Sequence, residues 1–312
     1  MAVGAGVTSR RFILDCDPGQ DDAIAILLAL GSHELAFEAI TIVAGNVGAD
    51  QGAANARRIL DLAGADRPIY RGAPRALLKP YDLGERFHGG DGLMGLDLPP
   101  PSRPPEAEHA VSFLARTLLA AEPGSIDLAC VGPLTNLALL LIQYPDAARG
   151  LGRVAIMGGA IGLGNVSPAA EFNIHSDAAA AAVVFSAGLD VILVPLDLTH
   201  QALGTDARIA ALKATGRPTA LAVAELLARY PRLEKFNYQG GPLHDPCAVA
   251  ALIWPEMVSG RHVAVEIDAS GGPSHGRTLV HWWPKSTGPR PNALVLSEID
   301  ADQFYHHLSN RV

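Results

Sequence analysis

The chain is poor in cysteine, in long apolar runs and in basic charge, and each shortage excludes something. Three cysteines among 312 residues, Cys16, Cys130 and Cys247, are odd in number, far apart and set in apolar surroundings. That pattern suits reduced core thiols and argues against a disulfide framework or a zinc site. The longest apolar runs, AIAILLAL (23–30) and AAAAAVVF (178–185), fall far below the ~18 residues that a spanning helix needs, so no membrane segment is expected. At the N-terminus, Arg10 and Arg11 follow a short lead of small residues and do not precede an apolar stretch, which gives no export signal. A cytoplasmic location is therefore expected. With 24 basic against 32 acidic side chains and a net charge of -8, the chain offers no electrostatic footprint for nucleic acid or anionic lipid.

Apolar residues are plentiful: 49% hydrophobic content in a chain of this length is ample for a buried core. Short β-branched runs alternate with Ala/Leu-rich stretches: RFILDC (11–16) with DDAIAILLALG, FEAITIV (37–43) with GAANARRILDLAG, and IDLACV (126–131) with PLTNLALLLIQ. RVAIM (153–157) and LDVILVPL (189–196) continue the series. This is the βαβ pattern of a mostly parallel, doubly wound, Rossmann-like α/β sheet flanked by helices. It is expected to form one domain over residues 1–312, with a flexible start over 1–10. The stretch DLPPPSRPPEAE (97–108) holds five prolines and reads as an extended surface connection.

Glycine or acid follows each predicted strand: Asp17-Pro18-Gly19, Gly45-Asn46, Gly132-Pro133, Gly158-Gly159 and Asp197. In an open α/β sheet, ligands bind beyond the carboxyl ends of the strands. The sharpest signal is DCDPGQDD (15–22), four carboxylates in eight residues. Asp21 and Asp22 suit the start of a helix, and Asp15 or Asp17 can cap it, which leaves two acids without a structural reason. Two carboxylates ~5 Å apart at an effective dielectric near 20 repel by ~3 kcal/mol, so a buried group of four must take up protons or a cation. No Lys or Arg lies between Arg11 and Arg57, and an oxygen-only donor set selects Ca²⁺ or Mg²⁺. A further acid, Asp245, stands beside His244 before Pro246, where it is either a helix N-cap or a ligand with a proton donor next to it.

DCDPGQDDAIAILLAL, Gly45-Asn46, VGPLTNLAL (131–139), MGGAIGLGN (157–165), AEFNIHSD (170–177), LDLTHQA (196–202) and HDPCAVA (244–250) together resemble the nucleoside hydrolases. The likeness is greatest to the inosine–uridine and pyrimidine-preferring ribonucleoside hydrolases, and it runs in order from about residue 11 to the C-terminus. It implies hydrolysis of the N-glycosidic bond of inosine, uridine or cytidine-type ribonucleosides, by a homo-oligomer (dimer or tetramer). It also implies a Ca²⁺ ion on Asp17, Asp22, Asp245 and the Val131 carbonyl, with Asp21, Asn46 and Asn173 on the ribose diol. Asn165 and Glu171 would hold the 5′-hydroxyl, and Met157 would also line the substrate site. Water activated by calcium and Asp17 would attack the anomeric carbon, while His244 assists departure of the base. Asp15 fits an acid that orients the ligands from behind. The segment 226–242 is expected to supply Tyr230 and Phe236, or Tyr238, to the base pocket. The Gly-rich loop 85–95 reads as a mobile lid, with His88 near the base.

Other readings compete. GPSHG (272–276) fits a nucleophile-elbow pattern and overlaps a P-loop-like string, but the strand-like RTLVHWWP follows where either motif needs a helix, so both read as a hairpin turn. A magnesium phosphohydrolase would use Asp15 and Asp17 as a D-x-D pair, though nothing obvious supplies a phosphate-binding Lys. A nucleoside- or sugar-binding protein without catalysis would need the hydroxyl-binding residues but neither base nor acid.

Overall fold

The computed structural model describes residues 9–79, 89–283 and 285–312. Strand β1 (Arg10–Cys16) leads through the turn Asp17-Pro18-Gly19 into helix α1 (Gln20–Leu30). Then follow β2 (Leu35–Ile42), α2 (Ala49–Leu62), β3 (Ile69–Arg71), α3 (Ala110–Leu119), β4 (Ile126–Cys130) and α4 (Thr135–Gln143). The series continues with β5 (Leu151–Met157), α5 (Phe172–Ser176), α6 (Ala178–Ser186), β6 (Asp190–Val194) and α7 (Leu196–Thr199). After α8 (Asp206–Ala214), α9 (Pro218–Arg229) and α10 (Asp245–Ile253) come β7 (Val258–Val263), β8 (Val265–Ile267), β9 (Thr278–Val280), β10 (Ala293–Ile299) and α11 (Ala301–Arg311).

Eight strands form one sheet in the order β3-β2-β1-β4-β5-β6-β10-β7, parallel throughout except for β7 against β10. Successive side chains of β1 feed opposite faces: Phe12 and Leu14 join a core with α1, α2, α9, α10 and α11, whereas Ile13 joins the core under α3, α4 and α6. Burial on both faces is why the central strands read as continuous apolar runs. The chain reverses its direction of progress across the sheet between β1 and β4, and at such a switch point the loops beyond the strand ends part to leave a crevice.

Several expectations need adjusting. Arg10, included in the flexible start expected over residues 1–10, opens β1 and pairs with buried Asp127 at 2.7 Å; residues 1–8 lie outside the described residues. The strand expected over 189–196 stops at Val194, because Pro195 has no N–H for the ladder and instead starts α7. GPSHG lies in the β8–β9 hairpin, as its flanking residues suggest. In the expected lid, His88 lies outside the described residues. The part from Gly89 onward packs against α2: Asn55 Nδ2 donates to the Asp91 carbonyl at 2.7 Å, and Leu93 is fully buried. No helix among the described residues is long and apolar enough to cross a membrane.

Candidate active site

The carboxyl ends of β1, β2, β4 and β5 converge with the starts of α1 and α10. There they border a cavity of about 210 Å³ whose walls include Asp21, Asn46, Val131, Glu171, Asn173 and Asp245. Asp22 and Asp17 lie beneath it, both fully buried. Glycine 19, not Asp15 or Asp17, is the N-cap of α1, and Asp22 closes the first turn by accepting the Gly19 amide at 2.9 Å. Its other oxygen accepts the Asp17 amide at 3.0 Å, which fixes the strand end relative to the helix. At α10 the N-cap is His244, so Asp245 is the first helical residue and not the cap.

The acids are crowded. Carboxylate oxygens of Asp21, Asp22 and Asp245 lie within 4.8 Å of one another in a buried group. Asp17 Oδ2 accepts the Asn46 amide at 2.6 Å, and Asn46 Nδ2 donates to Asp22 at 3.0 Å. Asp17 Oδ1 is buried and, among the described residues, has no hydrogen-bond partner. Burial first, and then the neighbouring acids, push Asp17 and Asp245 well above the usual carboxylate range. Burial also raises Asp21, to about 6. Such a set is strained when it holds only negative charge, and it fits a hard cation, since every donor is oxygen.

Two glycines make room for Asp17. A Cβ on Gly45 would stand 2.1 Å from Asp17 Oδ2, and one on Gly132 would stand 2.6 Å from Oδ1. Asp15 faces away from the cavity: its Oδ1 accepts from Thr41 at 2.5 Å and from Asn136 Nδ2 at 2.8 Å, and burial raises it to about 7. Asn136 in turn accepts the Ala73 amide, so Asp15 braces the loops around the site.

On the next wall, Asn173 Nδ2 donates to the carbonyls of Val131 at 2.9 Å and Met157 at 3.1 Å. Glu171 is the N-cap of α5 and accepts the amides of Gly159, Asn173 and Ile174, while its side also borders the cavity. Asn165 accepts the Phe172 amide at 2.9 Å. These three residues therefore hold the loop after β5 together and line the space as well. Tyr230, Phe236 and His244 form part of the remaining wall, whereas Tyr238 is largely exposed and does not line it. His244 Nδ1 is 2.8 Å from Thr199 Oγ1.

Three contacts are not given by the sequence. Thr199 anchors His244. Asp197 accepts the amides of Ile161 and Gly162, fixing the loop after β5. His200 lines the cavity beside Phe236. All three lie in LDLTHQA, which carries part of the family resemblance, and Asp197 marks a strand end, but neither signal assigns these contacts.

The family model described as inosine-uridine preferring nucleoside hydrolase matches residues 12–306. The chain is 42% identical over 304 residues to the pyrimidine-specific ribonucleoside hydrolase RihA of Citrobacter koseri, covering 96% of this chain and 97% of that protein. Among solved structures it resembles a purine-preferring ribonucleoside hydrolase from Gardnerella vaginalis, with TM-score 0.89 at 30% identity over 97% of this chain and 98% of that one. An inosine-guanosine nucleoside hydrolase superposes with the same TM-score, 0.89, at 31% identity, covering 98% and 99% of the two chains. The sheet order, the site at its switch point and a match along nearly the whole chain agree: the protein belongs to the nucleoside hydrolase family and is a ribonucleoside hydrolase, an enzyme that cleaves the N-glycosidic bond.

Proposed function

We propose that the protein hydrolyses uridine, cytidine and inosine to ribose and free base, with Ca²⁺ held by Asp17, Asp22, Asp245 and the carbonyl of Val131. The observation that carries this reading is the buried Asp17 Oδ1, which has no hydrogen-bond partner among the described residues and belongs to the same acidic cluster as three crowded carboxylates. A hard cation would relieve that repulsion and, when bound, would polarise water and bind a sugar diol through oxygen.

The chain's own groups then have distinct tasks. Asp17, its Oδ2 fixed by the Asn46 amide, takes the proton of the attacking water. Asp21, Asn46 and Asn173 engage the 2′- and 3′-hydroxyls, and Asn165 and Glu171 the 5′-hydroxyl, with Met157 beneath the sugar. The negative field of the buried acids favours positive charge developing on the ribose ring. Tyr230 and Phe236 flank the base, and His244, its Nδ1 held by Thr199, helps the base leave. His244 and the likeness to a pyrimidine-specific relative support the uridine, cytidine and inosine preference. We further infer a cytoplasmic setting, which the three buried free thiols suit, and assembly as a dimer or tetramer, which sedimentation reads.

Incubation with uridine, inosine and 2′-deoxyuridine tests the reading. Ribose release from the first two and a kcat/KM lower by ~10⁴-fold for the third is expected, since a site built around the 2′-hydroxyl is left with unpaired groups when it is missing. Equal rates for uridine and deoxyuridine would refute the sugar contacts.

A further inference from the structure

Two imidazoles face the base side of the cavity. His200 follows α7 directly; its ring meets Phe236 edge-on at 5.0 Å between centroids and His244 at 5.9 Å. The same short helix places both histidines, because Thr199, its last residue, holds His244 Nδ1. α7 is itself fixed, with Leu196 and Leu198 fully buried in the core and Asp197 bonded to the loop after β5. His200 is thus carried by a rigid element and is not free to swing as a surface group would be.

Its surroundings give that ring one open task. Neighbouring wall residues such as Pro231, Leu233, Phe236 and Pro242 are apolar. Among the described residues, neither ring nitrogen of His200 has a protein hydrogen bond, although the ring borders the cavity. Burial, reinforced by the charge of Lys235, lowers its pKa to about 4, so the ring is neutral at neutral pH, with one nitrogen donating and the other accepting. Stacking on Phe236 rewards any flat ring and discriminates little. A polar partner on an apolar wall discriminates strongly, because the wrong ligand leaves it unpaired.

We propose that His200 is a specificity-determining residue whose imidazole hydrogen-bonds the polar edge of the nucleobase, selecting ribonucleosides whose base carries adjacent ring-nitrogen and carbonyl groups. This rests on the reading that seats the base against the Phe236 and His244 wall. His244 serves the leaving of the base, whereas His200 serves its recognition, so the two rings make separable contributions.

The experiment compares wild type, His200→Phe and His200→Gln on uridine, inosine and p-nitrophenyl riboside, with ribose as a competitive inhibitor. The phenylalanine keeps the bulk and the edge contacts but has no hydrogen-bonding atoms; the glutamine restores a donor and an acceptor. In His200→Phe, kcat/KM for uridine and inosine should fall by about ten- to a hundredfold, the yield of one buried hydrogen bond. The aryl riboside, which lacks the ring N–H and carbonyl pair, should stay within about threefold, and ribose inhibition should be unchanged, showing an intact sugar site. His200→Gln should regain most of the loss. Equal losses on all three substrates, or none on either nucleoside, would overturn the assignment while wild-type ribose release kept the hydrolase reading intact. A wild type that releases ribose from no nucleoside would overturn both.

Discussion

Asp17 and Asn46 meet across the ends of β1 and β2: the Asn46 amide donates to Asp17 Oδ2 at 2.6 Å, leaving Oδ1 buried with no hydrogen-bond partner among the described residues. One oxygen is thereby fixed, and the other is the one the proposed cation would take. This pairing gives a carboxylate at a strand end the fixed orientation that the proposed ligand and base roles require.

If that ligand is calcium, chelation should lower the melting temperature by several degrees and calcium should restore it, since an ion bound only to the folded state at a hundredfold excess over Kd adds about 2.7 kcal/mol. Differential scanning calorimetry with and without chelator reads this independently of catalysis, and ribose release should vanish in parallel. A metal-free protein with unaltered melting and full activity would remove the ion from the account.

Asp17→Asn should fold and hold substrate but lose about 10² to 10⁴-fold in kcat, because the amide cannot accept the water's proton. Steady-state kinetics with uridine measure the loss, and one below about tenfold would assign the base to another group.

How much of this is legible in the sequence depends on what each residue must do. Central strands such as Ile126–Cys130 announce themselves because both faces are buried. Edge strand β7, mostly exposed, has no such signature, and β8 and β9 are too short for periodicity to register. Asp17, Asp21 and Asp22 stand out because with Asp15 they put four acids into eight residues, more than capping one helix needs, while His200 and Thr199 look like any turn residues until the fold brings them beside His244. Glu171 shows the converse: expected to contact substrate, it is the cap that shapes its loop as well as a wall of the cavity, and spacing does not reveal the cap.

For His244→Ala the damage should follow the leaving group. Uridine and inosine, whose bases depart as poor anions, should lose orders of magnitude in kcat. p-Nitrophenyl riboside, which leaves as a stable phenolate, should lose little. Comparing both substrates on the one variant separates an acid from a spacer, since a displaced Asp245 would slow them alike.

Acid stability carries the mark of His200. Its folded pKa, lowered to about 4 by burial and by Lys235 and opposed by Asp197, lies below the ordinary 6.5. Between those values the unfolded chain binds the proton more readily, so the contribution is complete above pH 6.5 and is lost as pH falls toward 4. Melting temperatures taken across that window should therefore drop further for wild type than for His200→Gln. Parallel profiles would mean that the folded protein charges this ring at no extra cost.

Gly45 and Gly132 carry no functional group, yet each lies closer to Asp17 than any side chain would permit. The site is thus defined as much by hydrogen atoms where methyl groups would otherwise be as by its carboxylates. Evolution or a designer can exchange an acid for an amide and keep the shape, but the smallest enlargement at either glycine moves the carboxylate itself. Mutational tolerance here follows the backbone's closeness to Asp17, so the least replaceable positions include two with no chemistry of their own.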